Sequence, residues 1–62
     1  GLKHPTVAAI IRNIGKTLQA VGDVRGAQEC YERALRILSE TLGDDHPDTL
    51  TVKHDLASLA ER

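Results

Sequence analysis

Large apolar side chains are scarce in this sequence of 62 residues, which has no Phe, Trp or Met and a single Tyr. Because 40% of its residues are still hydrophobic, the core must consist of Ala, Val, Leu and Ile around one ring. Side chains of this size favour closely packed helices and leave little room for a deep catalytic cavity. A chain this short also buries only about 60% of the surface that its unfolded form exposes. We therefore expect one small domain that is not an enzyme and needs no cofactor.

The sequence also has only one cysteine, no long apolar run and little net charge. The single Cys30 cannot form an internal disulfide, which favours a reducing compartment. No apolar run approaches the roughly 20 residues that cross a bilayer. The formal net charge is −1 with both signs interspersed, so the chain lacks a basic surface for nucleic acid. We expect a soluble cytoplasmic protein that binds neither nucleic acids nor membranes.

Apolar residues recur at steps of three and four along three segments, the spacing of one face of an α-helix. We predict helices over about residues 5–21, 24–42 and 47–61, and no strands, because apolar residues alternate nowhere. The predicted fold class is all-α, with an antiparallel helix-turn-helix followed by a third helix. The apolar positions of the first helix are Val7, Ile10, Ile11, Ile14, Leu18 and Val21.

Turn and capping residues stand at the predicted helix ends. Pro5 and Pro47 suit a first helical turn, where the missing N–H has no partner in any case. Gly22 and Gly43 suit a left-handed helix end. Asp23 is placed to cap the second helix with its carboxylate.

The phrase Gly-x-x-His-Pro occurs twice, with His4 in the first copy and His46, 42 residues later, in the second. A self-similar unit of roughly 20–50 residues made of two helices is the signature of a solenoid. The phrase therefore marks the start of a repeating unit. At this offset Pro47 falls on Pro5, Val52 on Ile10 and Leu56 on Ile14.

Small and bulky residues stand at fixed intervals inside the unit, at Ile11, Ile14, Gly15, Leu18, Ala27, Tyr31 and Ala34. This spacing resembles the tetratricopeptide repeat. The longer period, with "HPDTLTVKHDLA" opening a unit and "AQECYERALRILSETLG" closing one, looks like the kinesin-light-chain type. The resemblance implies about one and a half repeats. Residues 1–42 would be the first unit, and residues 43–62 the first helix of a second, acting as a cap or stacking surface.

The packing that we expect centres on Gly15. A glycine inside a helix costs about 1 kcal/mol relative to Ala, unless its missing side chain lets another helix come close. Ala27 and Ala34 would be the small residues on the facing side of the second helix. Tyr31 would fill the wedge between the first two helices and the third.

The resemblance implies a scaffold that binds a peptide or helix of a partner protein on the concave face lined by first helices. Asn13 would bond the partner's backbone, and Arg12 with Lys16 would favour an acidic group. The alternative is that Arg12 and Lys16 are only the solvated side of an amphipathic helix. The binding residues implied by the resemblance are Ala9, Arg12, Asn13, Lys16, Gln19, Thr51, His54, Asp55 and Ser58.

A structural role is the competing interpretation. A lone unit cannot cover all of its apolar faces, so Ile10, Ile11 and Leu59 could stay exposed and drive stacking or self-association into a homo-oligomer.

Chemical sites are disfavoured by spacing. His4, His46 and His54 lack the usual spacing of zinc ligands, and the segment "DDHPD" lacks the pattern of a calcium loop. Cys30 stands in an apolar stripe, which favours a half-buried packing residue over a nucleophile.

Overall fold

A computed structural model describes residues 4–61, and within that range the fold is three α-helices without a strand. The all-α prediction is confirmed. Helix α2 packs against both α1 and α3, so it forms the centre of the molecule. The helices are α1 (Pro5–Ala20), α2 (Val24–Thr41) and α3 (Pro47–Ala60).

Each helix ends one residue before its predicted boundary. Val21, Leu42 and Glu61 are C-caps, whose backbone N–H groups still bond to helix carbonyls. The dihedral angles of Val21 and Glu61 leave the helical values. Gly22 and Gly43 follow with φ of 92° and 95°, the left-handed conformation predicted for them. Periodicity alone could not separate the last helical residue from its cap.

The histidines of the repeated phrase cap the first helix of each unit. The Nδ1 atom of His4 accepts a hydrogen bond from the backbone N–H of Thr6, at 3.1 Å. The Nδ1 atom of His46 accepts the same bond from Asp48, also at 3.1 Å. The phrase thus repeats because one imidazole satisfies an orphan N–H group while the following proline removes another. Gly1, which opens the first copy, lies outside the described residues.

The N-terminus of α2 is capped as predicted. The Oδ1 atom of Asp23 accepts a hydrogen bond from the backbone N–H of Gly26, at 3.0 Å. A Cβ atom on Gly26 would lie only 2.5 Å from the Oδ2 atom of Asp23. Glycine at this position therefore leaves room for the capping carboxylate.

Contact between α1 and α2 is closest at Gly15. A Cβ atom there would lie 2.8 Å from Cε1 of Tyr31 and 3.1 Å from Cβ of Cys30. Ala27 and Ala34 are fully buried on α2, as expected. However, the atoms nearest to Gly15 belong to the ring and to the half-buried cysteine between these alanines in sequence. The missing side chain of Gly15 makes room for Tyr31 above all.

Helix α3 joins the core through Val52, which lies beside Leu38 of α2, and through Leu59, which lies beside Val24. Thr49 is also fully buried, and its hydroxyl donates a hydrogen bond to the carbonyl of Gly43, at 2.8 Å. A buried hydroxyl must find a partner inside the fold. This bond attaches the start of α3 to the loop that precedes it.

The predicted apolar stripe of α1 is only partly buried. Ala8 is fully buried and Ile11 packs against the core, whereas Ile10 is 56% exposed and Ile14 is 49% exposed. Val21 is more exposed still. The spacing places these residues on one face of the helix, but α2 covers only one side of α1 and leaves the adjacent side open.

Replacing Gly15 with Ala tests the close approach of α1 and α2. Overpacking a core costs about 1–3 kcal/mol, and Ala gains back about 1 kcal/mol over Gly in a helix. We expect Gly15→Ala to lower the free energy of unfolding by up to about 2 kcal/mol in urea denaturation, the overpacking cost less the gain in helix propensity.

The Tyr31→Leu background provides the control, since a smaller side chain opens space beside residue 15. There the cost of Gly15→Ala should shrink. If Gly15→Ala raises stability in the wild-type background, helix propensity is the only term and the close contact is refuted.

Removing a histidine cap tests the role of the repeated phrase. We expect His46→Ala to lower the free energy of unfolding by about 1 kcal/mol, because the Asp48 N–H loses its acceptor. His54→Ala is the matched control, since His54 is exposed on the same helix and caps nothing. Equal losses in the two variants would show that the cap contributes no stability.

Candidate functional site: the groove between α1 and α3

A groove of about 400 Å³ lies between α1 and α3. The two helices run in the same direction, because Pro5 and Asp48 share one end of the groove and Arg12 meets Asp55 further along. Leu38 of α2 also lines the groove, between α1 and α3. The lining residues are Pro5, Ala8, Ala9, Arg12 and Asn13 from α1, Leu38 from α2, and Asp48, Thr51 and Val52 from α3.

An ion pair joins the first helices of the two units. The Nε atom of Arg12 donates to Oδ2 of Asp55 at 2.6 Å, and the side chains are only 28% and 17% exposed. This hydrogen bond, with the charge of Asp55, raises the pKa of Arg12. Partial burial shields the pair from solvent, so its attraction exceeds that of a fully exposed pair.

Tyr31 reaches the predicted site residue Gln19 from inside the fold. Its hydroxyl donates to Oε1 of Gln19 at 2.9 Å, while the ring itself is fully buried. Burial raises the pKa of Tyr31, and the nearby negative charge of Asp55 raises it further. The ring therefore lies at the junction of all three helices, where the wedge was expected.

The profile of the tetratricopeptide repeat family matches residues 6–62. The chain belongs to the tetratricopeptide repeat family. No curated protein and no solved structure matches it. Tetratricopeptide repeats generally mediate protein–protein interactions and are typically scaffold modules without enzymatic activity.

The ion pair changes what the tetratricopeptide groove offers to a ligand. Asp55 already accepts a hydrogen bond from the guanidinium of Arg12 and balances its charge. An acidic group of a partner would have to compete with that carboxylate. Lys16 is exposed, but it does not line the groove. The acidic preference drawn from Arg12 and Lys16 together stays a prediction, with only Lys16 free of this competition.

The other sequence-predicted residues divide between the groove and its surroundings. Asn13 and Thr51 line the groove, and so does Ala9. The Thr51 hydroxyl donates to the carbonyl of Pro47 at 2.9 Å, and within residues 4–61 the Asn13 amide has no hydrogen-bond partner. Gln19, His54 and Ser58 lie outside the lining.

Five lining residues were missed by the sequence prediction. Two of them have a signal in the sequence, because Pro5 and Ala8 precede Arg12 at helical steps of three and four. Extending the stripe from Arg12 towards the start of α1 would have found them. The five are Pro5, Ala8, Leu38, Asp48 and Val52.

Neither a metal site nor a membrane span is found between residues 4 and 61. No group of three His, Cys, Asp or Glu side chains there is close enough to hold a metal ion. No helix of that range combines the length and apolarity that a bilayer requires.

Proposed function

We propose that this tetratricopeptide chain binds a segment of a partner protein in the groove between α1 and α3. The observation that carries the proposal is the composition of the groove. It combines small apolar walls, such as Ala8 and Ala9, with the unbonded amide of Asn13. The general role of the family in protein–protein interaction supports the same conclusion.

An extended segment fits the groove best. The amide of Asn13 can both donate to and accept from a peptide backbone, and the alanines let that backbone come close. From Pro5 to Asn13 the groove follows α1 for about 12 Å, at a rise of about 1.5 Å per residue. An extended chain advances about 3.3 Å per residue, so roughly four residues fit. Parts of the partner segment that extend beyond these four residues would contact Lys16, Gln19, His54 and Ser58.

The proposal also includes the type of repeat and the location of the protein in the cell. The matching caps of His4 and His46 support a 42-residue unit of the kinesin-light-chain type, with one unit over residues 1–42 and a second beginning at residue 43. The half-buried free thiol of Cys30 supports a cytoplasmic location.

Stacking on another helix is the second candidate function, and one comparison within the chain favours it. Val52 is fully buried and Leu56 half-buried, both packed with the core on the α2 side. Ile10 and Ile14 occupy the same places in the first unit and are 56% and 49% exposed. An additional helix like α2 would cover them as α2 covers their counterparts.

The surface for stacking differs from the one expected from the sequence. Of the three residues named there, Ile10 is exposed, Ile11 is half-buried and Leu59 is only 7% exposed. Leu59 belongs to the buried core cluster, so that part of the expectation is wrong. The open apolar surface consists of Ile10 and Ile14.

Blocking the groove tests the binding proposal. Peptides would be selected from a displayed library on the wild-type protein, and their Kd would be measured against variants. We expect Ala9→Gln, which fills the groove, to weaken the selected peptides at least about tenfold, or roughly 1.4 kcal/mol. Ala20→Gln is the matched control, since Ala20 is an exposed alanine of the same helix outside the lining. Equal affinities for both variants would place binding elsewhere.

Solution mass tests the stacking candidate. We expect light scattering after size exclusion to give a mass above the monomer's 6.7 kDa that rises with concentration. Ile14→Glu should reduce the mass to the monomer, and Val21→Glu should not, although Val21 is even more exposed. A monomer at every concentration contradicts stacking between copies of this chain.

A further inference from the structure

The charges along the groove do not cancel. Arg12 and Asp55 neutralise each other at 2.6 Å. Asp48, at the end of the groove beside Pro5, is the remaining ionised side chain of the lining. Counting Asp55, which pairs with Arg12 just outside the lining, the groove carries one net negative charge, and the unpaired carboxylate lies where α3 begins.

Asp48 forms no ion pair within residues 4–61: the guanidinium of Arg12 is near enough for the charge of Asp48 to help raise its pKa, but it bonds to Asp55. The Nδ1 atom of His46 accepts a bond from the backbone N–H of Asp48, and the imidazole forms no ion pair with the Asp48 carboxylate. The ammonium of Lys53 donates instead to the backbone carbonyl of Asp44, at 3.4 Å. Asp48 is exposed and open to a ligand.

The groove wall near Asp48 is made of small apolar groups. Pro5 and Ala8 lie on the α1 side, and Val52 lies on the α3 side. Such a wall admits the aliphatic stem of a long cationic side chain while its charge reaches the carboxylate. A short acidic side chain would meet a like charge instead.

We infer that the groove selects a partner segment in which one Lys or Arg side chain, flanked by small residues, pairs with Asp48. This inference rests on the groove being the binding surface, as proposed above. It reverses the acidic preference expected from Arg12, because Asp55 supplies the acidic group from within the chain.

Three blocked pentapeptides provide the test. They are Ala-Ala-Lys-Ala-Ala and its Gln and Glu counterparts, titrated into the wild-type protein while backbone amide shifts are followed by NMR. We expect the Lys peptide to shift the amides of Ala9 and Thr51 with a Kd about fivefold below that of the Gln peptide, the gain of one exposed ion pair. The Glu peptide should bind more weakly than both. The preference for Lys should decline as salt is added.

Two isosteric variants test whether the charge of Asp48 causes the preference for the Lys peptide. Asp48→Asn should bring the Kd of the Lys and Gln peptides together. Asp45→Asn removes the same charge three residues earlier, in the loop before α3 and outside the groove lining, so it should keep most of the difference. Each variant's thermal unfolding is compared with that of the wild type, so that loss of fold is separated from loss of charge.

The outcomes separate this inference from the function on which it rests. Equal groove shifts from all three peptides would leave the groove as the binding surface and overturn the selection of a cation. A preference for the Glu peptide, or equal effects of Asp45→Asn and Asp48→Asn, would overturn the role of Asp48. If none of the peptides shifts the groove amides, both the groove and its selectivity are refuted.

Discussion

The contact between Gly15 and the ring of Tyr31 determines where every other element lies. Since no side chain separates them, α2 approaches α1 closely enough for the phenol hydroxyl to reach Gln19. The same ring is near enough to Asp55 of α3 for the carboxylate to raise its pKa. The separation of α1 from α3, and hence the groove between them, depends on this one buried aromatic residue in a core that otherwise holds only small and aliphatic side chains.

Two kinds of polar contact then fix α3 beside α1. At its start, the buried hydroxyl of Thr49 bonds to the carbonyl of Gly43, so the helix follows the loop at a defined angle. Near the middle of α3, Asp55 accepts a hydrogen bond from Arg12 of α1. Because the apolar contacts of α3 are made with α2, these polar bonds are what sets its position along α1.

Local signals explain what could be predicted from the sequence. Helical spacing, the glycine turns and the Asp23 cap depend on neighbouring residues, and all are confirmed. What could not be predicted depends on contacts between residues that are far apart in the sequence. The burial of Thr49 depends on its bond to Gly43, and the exposure of Ile10 depends on which side of α1 is covered by α2. For the candidate groove, the tetratricopeptide resemblance named four of the lining residues, but the neutralisation of Arg12 arises from a contact across 43 residues.

The ion pair between the units also carries information about their order. In the 42-residue register, His54 occupies the place of Arg12, and Asn13 occupies the place of Asp55. If the two first helices exchanged positions, an imidazole would face a neutral amide, and the salt bridge would vanish. Successive units are therefore not interchangeable building blocks, and the sequence at each junction specifies which neighbour comes next.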